Sequence, residues 1–311
     1  MSGQLPDPYH GYEGPGGMRD RAPYSSAGGR VDRSFDLMGL SWRFLREHPR
    51  LLVLPAISSV ATALAAAAIF APTLYLARDM DGRVAILIAA SISALPLIFI
   101  ATFFNVGFLA MVAAHREGGD ASVRAGLRVA TRRLPQIVGW TLLSALVGTI
   151  LDTLARLPGG ELVANLLGWL GGLAWYLATF FVVPILAVEG TGPVKSVRRS
   201  AEVFRRRWGE AVTADISLGI LFSLLIAPGA AVGIAGAEIL EHDDVALGIS
   251  LIVAGVFLAA PPLVVSSAMT ELFTFELYRF SVDGERRVVG GPFTSGQLAS
   301  AIAPRRRWWR R

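Results

Sequence analysis

Residues Val84 to Ala114 read VAILIAASISALPLIFIATFFNVGFLAMVAA, a run of 31 residues without one charged side chain. A helix needs about 20 apolar residues to cross the roughly 30 Å hydrocarbon core of a bilayer. An α-helix also satisfies its own backbone hydrogen bonds, as a segment surrounded by lipid must. The run therefore predicts a transmembrane helix, and it decides the fold class of the chain.

Five further apolar runs accompany this one, separated by short polar breaks. They are Leu51 to Ala77, Gln136 to Ala155, Leu162 to Val188, Ala211 to Ala237 and Val245 to Thr270. The whole chain is 53% hydrophobic and 17% charged, whereas an ordinary soluble domain carries about 25% charged residues. We therefore predict an all-α, polytopic membrane protein with six transmembrane helices.

Cationic residues occupy alternate breaks between the runs. Of the 29 Lys and Arg residues, 26 fall in four segments, residues 1–50, 115–133, 195–207 and 279–311. Short loops rich in Lys and Arg stay on the cytoplasmic side of a membrane. The pattern predicts a multi-pass protein of the plasma (inner) membrane with both termini in the cytoplasm. The first 33 residues hold no apolar stretch typical of a cleavable signal.

The two ends of the chain differ in composition from the segment between them. Residues 1–33 are rich in Gly, Pro and Tyr, which predicts a disordered cytoplasmic tail. Residues 34–280 form the predicted six-helix membrane domain, and residues 281–311 form a basic cytoplasmic tail. This organisation includes no soluble catalytic domain.

A basic amphipathic stretch precedes each odd-numbered apolar run, within residues 35–50, 120–134 and 193–208. In the first, Trp42 and Leu45 share the predicted apolar face; in the second, Asp120 is the predicted N-cap; in the third, Pro193 suits a helix start. The tetrapeptide Ala-Thr-Phe-Phe recurs in the second and fourth runs. We predict three hairpin repeats, each an interfacial helix, a span, a tight turn and a second span.

The cations and indoles of these segments are predicted to contact anionic lipid of the inner leaflet. The C-terminal arginine and tryptophan run could also bind RNA by charge and stacking, but its position after a membrane domain favours lipid. The predicted contacts are Arg124, Arg128, Arg132, Lys195, Arg198, Arg205, Arg305, Arg306, Arg307, Trp308 and Trp309. Membrane lipids are the expected partner, a homo-oligomer or a membrane partner protein is a further hypothesis, and no nucleic acid is expected.

Few polar side chains lie within the apolar runs. The candidate polar patch comprises Thr102, Asn105, Tyr176, Thr179, Glu189, Ser266 and Glu271. Such residues either form interhelical hydrogen bonds or line a substrate site, and both interpretations stay open. Glu189, Glu271 and Glu276 are expected at cytoplasmic helix ends, close to Lys195 or Arg279, where their carboxylates can reach interfacial water.

Small residues and prolines predict how the spans pack and bend. Two glycine pairs at helical spacing, Gly168 with Gly172 and Gly229 with Gly233, predict close packing within the monomer or, alternatively, homodimerisation. Prolines inside the runs predict bends, because each removes an amide donor. They are Pro96, Pro184, Pro228, Pro261 and Pro262.

The sequence holds no recognisable catalytic constellation. Cysteine is absent, which excludes disulfides and thiolate metal sites, and the four histidines lie far apart in sequence. No nucleophile elbow, phosphate-binding loop or zinc-protease motif occurs. We therefore expect a protein that is not an enzyme and binds neither a metal nor a cofactor.

The stretch from Val183 to Gly190, followed by Ser196, Ser200 and Trp208, resembles a signature of uncharacterised prokaryotic six-helix membrane proteins. These look related to the membrane domain named after glycerophosphodiester phosphodiesterases. The segment from Trp42 to Pro49 is similar to that group's first interfacial helix, and the likeness covers roughly residues 34 to 285. It implies a membrane module of unknown function. The phosphodiesterase domain is lacking, so hydrolysis is not implied.

Two functions follow as hypotheses. The first is a non-enzymatic membrane-organising or accessory protein. The alternative is a transporter or channel for a small solute or lipid, using a kinked-helix cavity near Asn105, Tyr176 and Pro261.

Overall fold

The computed structural model describes residues 30–76, 79–120, 122–155, 161–207, 213–241 and 245–283. Within these ranges the chain is helical and no strand occurs, which confirms the all-α prediction. The helices are α1 (Arg30–Glu47), a 3₁₀ helix (Pro49–Leu52), α2 (Val53–Leu76), α3 (Gly82–Arg116), α4 (Val123–Arg132), α5 (Leu134–Ala155), α6 (Glu161–Thr179), α7 (Val182–Val188), α8 (Pro193–Arg207), α9 (Thr213–Glu241) and α10 (Val245–Asp283). Most of the predicted N-terminal tail and nearly all of the C-terminal tail lie outside the described residues.

Five segments are long and apolar enough to cross a membrane. They are Pro49–Thr73, Ile88–Arg116, Leu134–Leu154, Gly168–Val188 and Ala246–Val282. The fifth predicted run falls on α9, where the described apolar part is the shorter segment Ser223–Ile239. The fold is therefore that of a membrane-compatible helical protein with five such segments among the described residues.

The long helices form antiparallel pairs, α2 with α3, α5 with α6, and α9 with α10. We call the end where α4 and α8 lie the basic end. The opposite end, where α2 leads into α3 and α9 leads into α10, is the tip end. The carboxyl ends of α3, α7 and α10 meet at the basic end.

The core of buried side chains is concentrated at the basic end. It includes Phe108 and Leu109 on α3, Ile185 and Leu186 on α7, and the segment 268–280 of α10, which is buried on nearly every side. A helix that is buried all round occupies the centre of a bundle. The last third of α10 is therefore the central element of the core.

The tip end exposes its apolar side chains. Leu64 on α2, Ile234 on α9 and Phe257 on α10 are 67%, 68% and 75% exposed, respectively. Exposed aliphatic and aromatic side chains on long apolar helices are compatible with lipid contact. The tip end is thus a set of helix pairs with outward-facing apolar surfaces.

Glycines bring α9 and α10 into backbone contact. A Cβ added at Gly229 would lie 2.7 Å from the Ala259 amide nitrogen, and one at Gly255 would lie 2.6 Å from both the Gly229 oxygen and the Gly233 nitrogen. The predicted packing within the monomer is confirmed for Gly229 and for the backbone of Gly233, although a Cβ at Gly233 would itself have no atom within 4 Å. Packing within the monomer was wrong for Gly172, because a Cβ there would have no atom within 4 Å, and homodimerisation through this position stays a prediction.

Candidate functional site at the basic end

One polar contact joins the two longest helices at the level of the predicted patch. Asn105 Nδ2 on α3 donates to Glu271 Oε1 on α10 at 2.8 Å. Thr102, one turn before Asn105, is buried. Three members of the predicted patch thus lie on α3 and α10 at this level, two of them directly bonded.

A buried ion pair lies nearer the ends of the same two helices. Arg116 Nη1 donates to Glu276 Oε2, and the Glu276 side chain is fully buried. The expectation that Glu276 reaches interfacial water was therefore wrong. Removing one partner of such a pair leaves a buried charge uncompensated, so the pair locks α3 to α10.

A third polar contact connects α10 to the end of α7. Tyr278 Oη donates to Glu189 Oε1 at 2.6 Å, and Arg199 Nε on α8 lies 3.3 Å from the same oxygen. Hydrogen bonds to an ionised group are stronger than those between neutral groups. Glu189 therefore links three helices and lies apart from the Asn105 contact.

The turn that follows Glu189 requires a glycine. Gly190 has a φ of +61°, a left-handed conformation that side chains other than glycine seldom adopt. A Cβ at Gly190 would also overlap the Arg133 guanidinium, and Gln136 Nε2 donates to the Gly190 carbonyl oxygen at 3.4 Å. The junction of α4 and α5 thus holds this turn in place.

A break between α6 and α7 sets the position of Glu189. Proline clashes with the carbonyl four residues earlier, and Pro184 accounts for the interruption at Phe180 and Phe181. The Phe181 amide at the break donates to Ser200 Oγ on α8 at 2.9 Å, in a buried position. The helix is therefore interrupted, and not only bent, before Pro184. Ser200 Oγ accepts the hydrogen bond of the Phe181 amide at this interruption.

The remaining patch residues bond within their own helices. Thr179 Oγ1 donates to the Trp175 carbonyl oxygen at 2.8 Å, and Ser266 Oγ donates to that of Leu263 at 2.9 Å. Tyr176 is exposed, with its ring edge against Phe180. The predicted patch is thus distributed over the basic end rather than gathered in one place.

The basic helices α4 and α8 cover the core with their apolar faces. Val123, Leu127, Val197 and Phe204 pack against it. Their exposed cations are the predicted lipid contacts Arg124, Arg128, Arg132, Lys195, Arg198 and Arg205. Arg305, Arg306, Arg307, Trp308 and Trp309 lie outside the described residues. The described cations therefore form an outward-facing surface around the core.

Contact between α4 and α3 is made through glycine. A Cβ at Gly126 would lie 2.6 Å from the Gly107 carbonyl oxygen.

Two sequence predictions need correction at the basic helices. The N-cap of α4 is Ser122 rather than Asp120, and Trp42 on α1 is exposed beside the buried Leu45. Pro193 does begin α8, as predicted.

Two histidines far apart in sequence meet at the basic end. The ring centroids of His48 and His115 lie 4.3 Å apart. Their separation in sequence is as stated above, and no sequence spacing signalled the contact. Among the described residues, no group of three or more metal-ligating side chains occurs.

Comparison with known proteins assigns most of these residues to one family. Residues 83–288 match a family of unknown function (DUF6159), a range that contains Asn105, Arg116, Glu189, Glu271 and Glu276. No curated protein and no solved structure matches the chain. Since the match covers well over half of the sequence, the chain belongs to this family of unknown function.

Proposed function

We propose that the chain is a non-enzymatic inner-membrane protein that organises the membrane, or assists a membrane partner or a second copy, by holding anionic lipid at its basic end. The observation that carries this proposal is the exposed cationic surface of α4 and α8 around a packed core. Each cation near an anionic leaflet contributes about 1 kcal/mol of binding free energy. The apolar faces of both helices already pack on protein, which leaves the cations to meet headgroups.

The lengths of α3 and α10 support this placement. Their 35 and 39 residues extend about 52 and 58 Å at 1.5 Å per residue, against a hydrocarbon core of about 30 Å. Asn105 lies about 35 Å from Gly82 along α3. The polar contacts of the basic end then fall near the headgroup layer and not at the midplane.

The proposed topology has six spans in three hairpin repeats, with α9 as the fifth span and the basic end in the cytoplasm. The chain has no cysteine, so single cysteines can report sidedness without background. Cysteines at Gly159 and Ser295 should react with impermeant reagents from opposite faces of the membrane. Reaction of both from one face would contradict the topology.

Lipid selectivity tests the function itself. The variant R124Q/R128Q/R132Q removes three exposed cations, and R124K/R128K/R132K is the matched control that keeps their charge. In vesicles, association of spin-labelled phosphatidylglycerol relative to phosphatidylcholine should fall by at least about fivefold in the Gln variant, the equivalent of about 1 kcal/mol. Equal selectivity in both variants would refute lipid holding by α4.

A second function, transport of a small solute or lipid, is favoured by the Asn105–Glu271 hydrogen bond between α3 and α10. Polar contacts between long apolar helices can line a substrate path. A reconstituted flux assay separates the two functions: uptake that Asn105→Leu abolishes at unchanged expression supports transport. The relationship to the membrane domain named after glycerophosphodiester phosphodiesterases stays a hypothesis based on the residues 183–208.

A further inference from the structure

The N-terminal segment, which we define as α1 and the 3₁₀ helix, precedes the family match and contacts the end of α3 through a histidine pair. The His48 and His115 rings lie 4.3 Å apart at 59°. Phe44 packs beside both rings, at 4.8 and 6.0 Å. His48 Nδ1 donates to the Phe44 carbonyl oxygen at 2.9 Å, which fixes its orientation on α1.

The charges around this pair do not favour additional positive charge. Arg116, next to His115, is already paired with Glu276, and Glu47 and Glu117 are exposed, where water screens them. The charged residues next to the pair in sequence are Arg46, Glu47 and Arg50 around His48, and Arg116 and Glu117 after His115. Arg116 is in turn paired with Glu276, which also lies near Arg279. Among these seven residues, four cations stand against three carboxylates, and no carboxylate is both buried and unpaired.

We propose that the His48–His115 contact is an acid-sensitive joint that releases the N-terminal segment from the end of α3 when both rings are protonated. Histidine is the side chain whose charge ordinarily changes between about pH 5 and 8. Two neutral rings pack together, whereas two imidazolium ions at this separation repel each other in a half-buried site. The contact is therefore intact near neutral pH and is lost as the pH falls. The proposal does not depend on the function proposed above.

Thiol labelling of a buried position tests the joint directly, because the chain has no native cysteine. Leu51 on the 3₁₀ helix is fully buried and serves as the reporter in Leu51→Cys. Val194→Cys, at an exposed position, corrects for the effect of pH on thiol reactivity. With both histidines present, the corrected labelling rate should rise about tenfold between about pH 7.5 and 5.5.

Variants of the two histidines show whether the rise in labelling comes from the His48–His115 contact or from general unfolding in acid. In His48→Gln/His115→Gln the rise should be absent, and in a background with His10→Gln/His242→Gln it should persist. If the double variant of the pair fails to fold, each single glutamine variant carries the test, since one charge alone should give less than about a threefold rise. The proposal is overturned if the labelling rate does not rise in acid with both histidines present. It is also overturned if the rate rises equally in His48→Gln/His115→Gln.

Discussion

The basic end and the tip end of this molecule are held together by different interactions. At the basic end, α3, α7 and α10 share a buried core, a buried ion pair and hydrogen bonds that link distant parts of the chain. At the tip end, apolar side chains face outward, and α9 meets α10 through glycines. Lipid is as apolar as leucine, so burial gives little driving force between helices inside a bilayer. The comparison teaches that the specific contacts between helices of this fold are concentrated at the basic end, where side chains distant in sequence pack and bond.

Truncating one aromatic side chain at each end tests this contrast most strongly. Phe108 is fully buried at the basic end, whereas Phe257 is 75% exposed at the tip end. Phe108→Ala should lower the free energy of unfolding by about 3 to 5 kcal/mol, because it leaves a cavity. Phe257→Ala should change it by under about 0.5 kcal/mol. Thermal unfolding in detergent micelles measures both, and similar losses would remove the distinction between the ends.

The ion pair should have the next largest effect. Glu276→Gln removes the negative charge that Glu276 supplies to the buried Arg116 side chain and should cost about 3 kcal/mol. Replacing both residues by methionine removes the uncompensated charge, so the double variant should be clearly more stable than Glu276→Gln. A double variant as unstable as the single one would show that the pair contributes more than charge compensation.

Replacing one serine at each end compares the two ends through a single hydrogen bond, and the expected loss of stability is smaller. Ser200→Ala leaves the buried Phe181 amide without an acceptor and should cost about 1 to 3 kcal/mol. Ser250 near the tip end donates only to a carbonyl oxygen of its own helix, so Ser250→Ala serves as the control with little loss. Urea or detergent titration monitored by tryptophan fluorescence would compare them. Equal losses would argue that the Phe181 amide finds another acceptor.

Local patterns predicted much of this fold. Apolar run length located the five long segments, cation periodicity predicted α4 and α8, and Pro193 marked the start of α8. Asn105 and Glu271 were both candidate polar residues, and they are bonded. These features depend on residues near one another in sequence, which is why periodicity could find them.

Long-range pairing could not be predicted in the same way. Glu276 has a cation three residues away in Arg279, but its ion pair is with Arg116, 160 residues distant. His48 and His115 meet only because α1 and α3 end at the same place. Gly172 has the spacing of a packing residue yet faces open space, because spacing cannot identify which helix face is covered.

The central position of the last third of α10 has a consequence for biogenesis. Chains are made from the amino terminus, so α10, which completes the core, leaves the ribosome after the other helices among the described residues. Until then Arg116 lacks the Glu276 carboxylate, and the surfaces of α3 and α7 that pack against α10 stay uncovered. The earlier helices should therefore stay loosely associated until α10 has been made. A chain that stops before residue 268 should stay in this state, in which quality-control proteases can recognise it.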